Sequence, residues 1–311
     1  MNGSFSNIPD TAAELDQHIA EREANYDLKN DSRAQIIWAD PHALDKTEYA
    51  IVYLHGFRAS HPEGNPVHKQ VAHKMGYNLF LSRLSEHGIQ SDYPLLNLTE
   101  EKLIQSAQFA IEIGKRIGKK VILMGTSTGG SLALYWAAQS AYQNDISSLV
   151  LYSPLIEFYG INQKLLGNPA MRSVMGMIPG KKYLIKSPET TYAEARIWNK
   201  EYALGGTLAL GAFIQHHMNK SLFKKIRQPT FIGYYYKDQN QQDTVVSVHA
   251  IKQMAKTLGS RTETVHLTNF PNAKNHVICN GLVSKSVTEV VKNTINFLKN
   301  VGSHEASENP K

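Results

Sequence analysis

The stretch that decides the fold is VILMGTSTGG, residues 121–130. Its first four residues form a short apolar run, which is typical of a strand buried on both faces of a parallel sheet. The next six residues fit the pattern G-x-S-x-G around Ser127, and an alanine-rich helical segment follows at 132–142. In this strand-turn-helix context a tight turn lifts the Ser127 hydroxyl above the sheet, while Gly125 and Gly129 avoid clashes across the turn.

The same glycines invite comparison with a phosphate-binding loop, but the details disfavour that interpretation. A dinucleotide loop needs G-x-G-x-x-G, and Ser127 occupies the position of its second glycine. A Walker loop needs Lys and then Ser or Thr after the last glycine, whereas Ser131-Leu132 follows here. A glycine-rich turn without chemistry is the other alternative, and the partners that a serine nucleophile needs decide against it.

Strands and helices alternate along most of the chain. Short apolar runs predict strands, and segments with apolar residues at helical spacing predict helices. The predicted strands are residues 51–54, 78–81, 121–124, 149–152, 230–235 and 264–267, with 36–38 as a further candidate, and the predicted helices are 100–117, 132–142, 244–258 and 283–298. This alternation predicts an α/β fold, with a mostly parallel central sheet and helices on both faces.

One interval breaks the alternation. Residues 155–223 contain no clear strand and carry many aromatic residues, methionines and glycines. Because this interval separates two predicted sheet strands, we expect it to emerge at the carboxyl edge of the sheet as an inserted lid or cap. The predicted organisation is then an N-terminal extension at 1–30, a core at 31–154 and 224–302, and a flexible tail at 303–311.

Composition narrows the functional classes. The chain has 311 residues and is 42% hydrophobic, enough to bury a large core. Its net charge of +6 comes from scattered basic residues rather than a cluster, so we expect no nucleic-acid partner. The single cysteine rules out an intramolecular disulfide and a cysteine-based structural zinc site. Because no apolar run approaches the roughly 18 residues of a membrane span and no secretory signal is visible, we expect a cytoplasmic protein.

A serine nucleophile needs a base, and the base needs an orienting acid. On a strand-helix scaffold of this kind the acid and then the histidine follow the serine along the chain. His276 lies in a turn-rich loop between the last predicted strand and the last predicted helix, where a base should be. The three other late histidines fall in a predicted helix, a predicted strand and the tail. Asp243 is favoured as the acid over Asp238, and a capping role for Asp243 at the following helix is compatible with that.

The oxyanion of an acyl-transfer reaction needs two backbone N–H donors aimed at one point. Thr128, the residue after the nucleophile, stands at a predicted helix N-terminus and is the first candidate. Phe57 is the second candidate, because the His55-Gly56-Phe57 turn directly follows a predicted strand and Gly56 allows a close approach.

Together these pieces resemble the α/β-hydrolase-fold serine hydrolases. The chain is most similar to the branch of bacterial carboxylesterases and monoacylglycerol lipases that is often grouped with serine aminopeptidases. The resemblance covers roughly residues 48–300 and rests on HGF at 55–57, RLSEHG at 83–88, GTSTGG at 125–130, DTVV at 243–246 and NH at 275–276. It implies Ser127 as nucleophile, Asp243 as acid and His276 as base, with Phe57 and Thr128 as the oxyanion hole.

The sequence therefore predicts hydrolysis of small carboxylic esters with an apolar acyl group, through an acyl-enzyme on Ser127. The reaction requires no metal or cofactor, and no metal-ligand spacing stands out. Met171, Met175, Met177 and Ile178 of the predicted lid either line the acyl pocket or form the lid's own core. Thioesterase, amidase, peptidase and acyltransferase activities stay open because they use the same triad. A non-catalytic binding protein is less favoured, since all three triad residues are present.

Overall fold

The central element of the molecule is a seven-stranded sheet. The computed structural model describes residue 5 and residues 7–160, 183–187, 191–259 and 264–308. The described residues contain the strands of this sheet and of a second, two-stranded sheet. The strands are β1 (Gln35–Ile37), β2 (Thr47–Leu54), β3 (Asn78–Leu81), β4 (Gly118–Thr126), β5 (Ile146–Tyr152), β6 (Leu184–Lys186), β7 (Glu201–Ala203), β8 (Thr230–Tyr234) and β9 (Val265–Asn269), and β6 and β7 form the second sheet. The central sheet has the order β1-β3-β2-β4-β5-β8-β9, in which β1 is antiparallel to β3 and the other neighbours are parallel.

Helices cover both faces of this sheet. They are α1 (Ala12–Ala24), α2 (Val67–Met75), α3 (Glu100–Ile117), α4 (Thr128–Ala137), α5 (Tyr192–Ile197), α6 (Leu204–His217), α7 (Lys220–Phe223), α8 (Val248–Ala255) and α9 (Val287–Glu308). The predicted α/β architecture, a mostly parallel sheet flanked by helices, is confirmed. Within the described ranges, no helix combines the length and the apolar character that a membrane span needs.

The pleat of β2 shows how the two cores arise. Successive side chains of a strand point to opposite faces of the sheet. Val52 and Leu54 pack in one cluster, which includes residues of α1, α3, α4, α6 and α8, while Ile51 and Tyr53 pack in the other, which includes residues of α2 and α9. Because both faces are covered, the strand reads as a continuous apolar run rather than an alternating one.

The structure differs from the sequence prediction inside the interval 155–223. β6 and β7 lie there and form a separate two-stranded antiparallel sheet, although the sequence predicts no strand in the interval. Each strand has only three residues, which is too short for a period of two to be visible. The helices α6 and α7, at the end of the same interval, bury Phe213 and Phe223 in the first core cluster.

Several helix boundaries also differ. α4 begins directly after Ser127 and spans Thr128–Ala137, and a separate 3₁₀ turn, Ser140–Tyr142, follows it where the sequence predicts one helix over 132–142. α8 begins at Val248 rather than at 244, because the Ser247 side chain caps it by accepting a hydrogen bond from the Ala250 N–H at 3.1 Å. α9 begins at Val287 and continues to Glu308, into the segment predicted as a tail. Within the predicted N-terminal extension, α1 buries Leu15 in the first core cluster.

Candidate active site

Ser127 stands at the junction of β4 and α4. β4 ends at Thr126 and α4 begins at Thr128, and Ser127 between them has φ 52° and ψ −115°. This backbone conformation is sparsely populated for a residue with a side chain and persists only where the surroundings impose it. The surroundings do so here, since the Ser127 N–H donates to the Tyr152 carbonyl at 2.9 Å and the Leu155 N–H donates to the Ser127 carbonyl at 3.1 Å.

The glycines of the motif are required by close backbone contacts. A Cβ on Gly129 would lie 1.9 Å from the Leu54 carbonyl oxygen, and a Cβ on Gly125 would lie 2.4 Å from the carbonyl carbon of Gly129. Backbone atoms cannot yield to such overlaps, so α4 can pack against β2 and β4 at this distance only with glycine at both positions. The turn thereby points Ser127 into a cavity at the carboxyl edge of the sheet.

His276 and Asp243 come together in the same cavity from two loops. Asp243 follows β8 and His276 follows β9, and the His276 Nδ1 lies 2.6 Å from the Asp243 Oδ2. The other carboxylate oxygen of Asp243 accepts hydrogen bonds from the N–H groups of Val245 and Val246 at 2.8 and 3.1 Å. Since an ionised carboxylate can only accept, Nδ1 carries the proton and the Nε2 of neutral His276 is left as an acceptor.

The second nitrogen of His276 is available for chemistry. Nε2 is buried and makes no hydrogen bond with any residue that the structure describes. In free enzymes the bond between nucleophile and base is often long and tightens only when substrate binds. Ser127 and His276 line the same cavity, so an Nε2 in this state suits a base that waits for its proton donor.

The charges of the pair stabilise each other. Burial alone would lower the pKa of His276, but the Asp243 charge and its hydrogen bond raise that pKa above its ordinary value. Burial alone would raise the pKa of Asp243, but His276 and the Val245 and Val246 N–H groups hold it below its ordinary value. Asp243 is therefore ionised at any pH where His276 titrates.

This arrangement predicts how activity depends on pH. A base must be neutral to accept a proton, so kcat/KM should fall as the pH drops through the raised pKa of free His276, which lies above about 6.5. Asp243, with its lowered pKa, should add no further step above about pH 4. The measurement is kcat/KM for a neutral ester between about pH 5 and pH 9, with the melting temperature at each pH as the control for unfolding. A rate constant that stays flat down to about pH 5.5 would contradict the prediction.

The turn after β2 presents Phe57 to the same cavity. His55 is buried, which keeps its pKa well below the ordinary range and the ring neutral. Its Nε2 accepts from the Leu84 N–H at 3.1 Å, so its Nδ1 carries the proton and donates to the Gly56 carbonyl at 2.9 Å. Thr128 lines the cavity from the first turn of α4, where backbone N–H groups have no partner within the helix.

The cavity has a volume of about 770 Å³. All five residues predicted from sequence as the triad and oxyanion hole line it: Phe57, Thr128, Ser127, Asp243 and His276. The predicted acyl-pocket residues, Met171, Met175, Met177 and Ile178, lie outside the described residues.

Sequence reasoning missed several residues of this cavity. Arg58, Glu63, Trp198 and Lys274 also line it, and none of them belongs to a recognisable motif. Arg58 was the most accessible to prediction, because it directly follows the predicted oxyanion residue Phe57. Glu63 and Trp198 lie far apart in sequence and meet only in the fold, at 2.9 Å.

Comparison with solved structures identifies the architecture as the α/β-hydrolase fold. No protein-family model matches the sequence, and no curated protein matches it. The chain is similar to a structure of the metagenome-derived lipolytic enzymes LipS and LipT, with 14% identity, a TM-score of 0.67, and coverage of 88% of this chain and 99% of the other.

Two further solved structures have a similar fold. A soluble variant of monoglyceride lipase from Saccharomyces cerevisiae, in complex with a substrate analogue, is 15% identical with a TM-score of 0.63, covering 86% of this chain and 91% of the lipase. Est1E from Butyrivibrio proteoclasticus, with ferulic acid bound, is 15% identical with a TM-score of 0.58, covering 87% of this chain and 95% of Est1E. At these identities the similarity establishes the fold, and the chemistry has to be argued from the site.

Proposed function

We propose that this protein is a serine hydrolase that cleaves carboxylic esters with an apolar acyl group through an acyl-enzyme on Ser127. The observation that carries the proposal is the 2.6 Å contact between His276 Nδ1 and Asp243 Oδ2 in the cavity into which Ser127 projects. Its coarser part, hydrolysis on this fold, is supported by structural neighbours that are lipolytic enzymes and esterases.

The proposed mechanism assigns one task to each group. His276 Nε2 takes the proton of Ser127 as the hydroxyl oxygen attacks the ester carbonyl carbon. The oxyanion accepts hydrogen bonds from the N–H groups of Phe57 and Thr128. When the C–O bond to the alcohol breaks, His276 donates the proton to the departing oxygen. A water molecule then attacks the acyl-enzyme with His276 as base again, and the acid product leaves with Ser127 restored.

The cavity lining supports an apolar acyl group. Its volume falls in the range of ordinary small-molecule sites. Apolar side chains that line the cavity come from the inserted segment and from the loop after His276. They include Leu155, Phe158, Leu204, Leu210, Val277 and Val283. We extend the proposal to Met171, Met175, Met177 and Ile178 as further acyl contacts, since methionine adapts to irregular ligands.

The test compares p-nitrophenyl butyrate, octanoate and palmitate, with an acyl thioester and an acyl anilide of matched chain length as separate arms. We expect turnover of at least one ester, and labelling of Ser127 by a fluorophosphonate, located by mass spectrometry of the labelled peptide. A clear preference for the thioester or the anilide moves the assignment to a thioesterase or an amidase. A folded protein that is inert on all substrates and unlabelled at Ser127 would overturn the proposal.

A further inference from the structure

Glu63 is a buried carboxylate next to the turn that carries Phe57. It lies in a short 3₁₀ turn, His61–Gly64, and is 2% exposed. The Gly56 N–H donates to its Oε2 at 2.6 Å, and the indole N–H of Trp198 donates to its Oε1 at 2.9 Å. A carboxylate in the interior is costly unless donors satisfy it, and here each oxygen accepts from one N–H. The Tyr53 hydroxyl makes a longer contact of 3.5 Å with Oε2.

The bond to Gly56 bears on the direction of the Phe57 N–H. Gly56 joins two rigid peptide groups. The first, between His55 and Gly56, contains the Gly56 N–H, and the second, between Gly56 and Phe57, holds the Gly56 carbonyl and the Phe57 N–H in one plane. Glu63 holds the first group through the Gly56 N–H, while His55 holds the second through the Gly56 carbonyl at 2.9 Å. Since glycine is the most flexible residue, two fixed peptide groups are what keep its torsions in place.

The fit around Gly56 is tight. A Cβ at that position would lie 2.9 Å from the Glu63 Oε1. The carboxylate therefore occupies the space that any side chain at 56 would need. This contact gives a physical reason for glycine at 56 that is separate from access for a substrate.

Glu63 also connects the oxyanion turn to two other parts of the site. Trp198 follows α5 of the inserted segment, so its bond to Glu63 reaches across to that segment. The backbone carbonyl of Glu63 accepts from the Asn280 side-chain N–H at 3.1 Å, and Asn280 lies shortly after the base His276. One residue thus contacts the oxyanion turn, the inserted segment and the base loop.

The charge of Glu63 acts on the base as well. Burial raises the pKa of Glu63, and the hydrogen bonds from Trp198 and Gly56 oppose that rise. Among the described residues, Asp243, Glu63 and Arg58 act electrostatically on His276, and Lys274 lines the same cavity. Asp243 makes the largest contribution to raising the pKa of His276, Glu63 adds to it, and Arg58 lowers it.

We propose that Glu63 is a positioning residue of the reaction. Its carboxylate fixes Gly56 so that the Phe57 N–H stays aimed at the oxyanion, and its negative charge stabilises the protonated form of His276. The assignment rests on the proposed function, because it concerns a transition state that forms on Ser127. Glu63 itself does not touch the reacting atoms.

The decisive variant is Glu63→Gln. It keeps the shape but turns one oxygen into an NH₂ group, which faces either the Gly56 N–H or the Trp198 N–H and cannot accept from it. We expect kcat to fall about 10²-fold with KM within about threefold, since loss of an oxyanion donor affects only the transition state. An alkylboronic acid, which forms a tetrahedral adduct with the serine, should bind more weakly by a similar factor. The acid limb of the pH profile, which is the fall of kcat/KM as the pH drops through the pKa of His276, should move to lower pH.

Two further variants distinguish the positioning effect of Glu63 from the effect of its charge and from a general structural defect. Glu63→Asp keeps the charge but is one methylene too short to reach Gly56, so kcat should fall while the acid limb stays in place. Glu112→Gln, on the distant helix α3, also replaces a partly buried glutamate and should leave kcat, inhibitor binding and the acid limb unchanged. Melting temperatures identify any variant that fails to fold, and Glu63→Asp then carries the test.

The outcomes are distinct. An active wild type with a Glu63→Gln variant within about threefold in kcat overturns the positioning role. So does a loss of kcat with unchanged boronic-acid affinity, which marks a purely structural defect. An unmoved acid limb overturns the electrostatic part. If the wild type neither turns over ester nor reacts with fluorophosphonate, the proposed function itself fails and this role fails with it.

Discussion

Replacing Ser127 by Ala should lower kcat/KM for the best ester by about 10⁴-fold or more. The variant keeps the cavity, the His276–Asp243 contact and the backbone N–H groups of Phe57 and Thr128, so it removes the proposed attacking oxygen and nothing else. Substrate affinity should stay close to that of the wild type, because binding does not depend on the hydroxyl. The measurement is kcat/KM on the same ester for wild type and variant, together with fluorophosphonate labelling, which should disappear.

Two controls sharpen this experiment. Ser147→Ala removes another buried serine hydroxyl, which donates to the Val121 carbonyl far from the cavity, and it should retain wild-type activity. Ser127→Gly should be as inactive as Ser127→Ala yet melt at a higher temperature, because glycine adopts a φ of 52° without the strain of a Cβ. Residual activity in Ser127→Ala at the level of Ser147→Ala would rule out Ser127 as nucleophile.

Asp243→Asn should lower kcat/KM by about 10⁴-fold, an effect of the tautomer of His276 rather than of a lost contact. The N–H groups of Val245 and Val246 donate to Oδ1, so the oxygen of the introduced amide would stay there. The amide NH₂ would then face the His276 Nδ1 and donate to it. That bond places the ring proton on Nε2, where the base needs a lone pair.

The matched control is Asp238→Asn, because Asp238 is the other candidate for the acid in the sequence analysis. Asp238 accepts from the N–H groups of Asn240 and Gln241 in an exposed turn, and this bonding pattern is local to the turn. Its variant should stay within about threefold of wild-type kcat/KM. The measurement is kcat/KM for both variants at the pH optimum, with melting temperatures alongside. A large loss at 238 with a small loss at 243 would reverse the assignment of the acid.

The sequence is informative where one residue type is physically required. The short run at 121–124 predicts a buried strand before a turn that needs Gly125 and Gly129, and the structure places a strand, a turn and a helix there. The alternation of such runs with helical segments was enough to predict a parallel sheet with helices on both faces. Chain order predicts an acid after β8 and a histidine after β9, and the structure brings Asp243 and His276 within 2.6 Å of each other.

The features that the sequence does not predict depend on tertiary contacts, which leave no local sequence pattern. β6 and β7 are stabilised by pairing with each other, through residues such as Ile185 and Tyr202, and three residues carry no readable period. Glu63 looks like an ordinary polar residue of a loop until the fold brings Gly56 and Trp198 to its two oxygens. The amino-acid sequence alone gives no signal for such a contact.

The position of the inserted segment has a consequence for how substrate preference can evolve. β5 and β8 are hydrogen-bonded neighbours in the sheet, with Leu149 opposite Thr230, although a long stretch of chain separates them. The chain leaves the sheet after β5 and returns through α6, which packs on α3 and α4 before β8 begins. Doubling the length of a loop between fixed ends costs only about 0.6 kcal/mol. The pocket lining supplied by the chain between β5 and α6 can therefore change in length and sequence, while Ser127, Asp243 and His276 keep their places after the strands of the sheet.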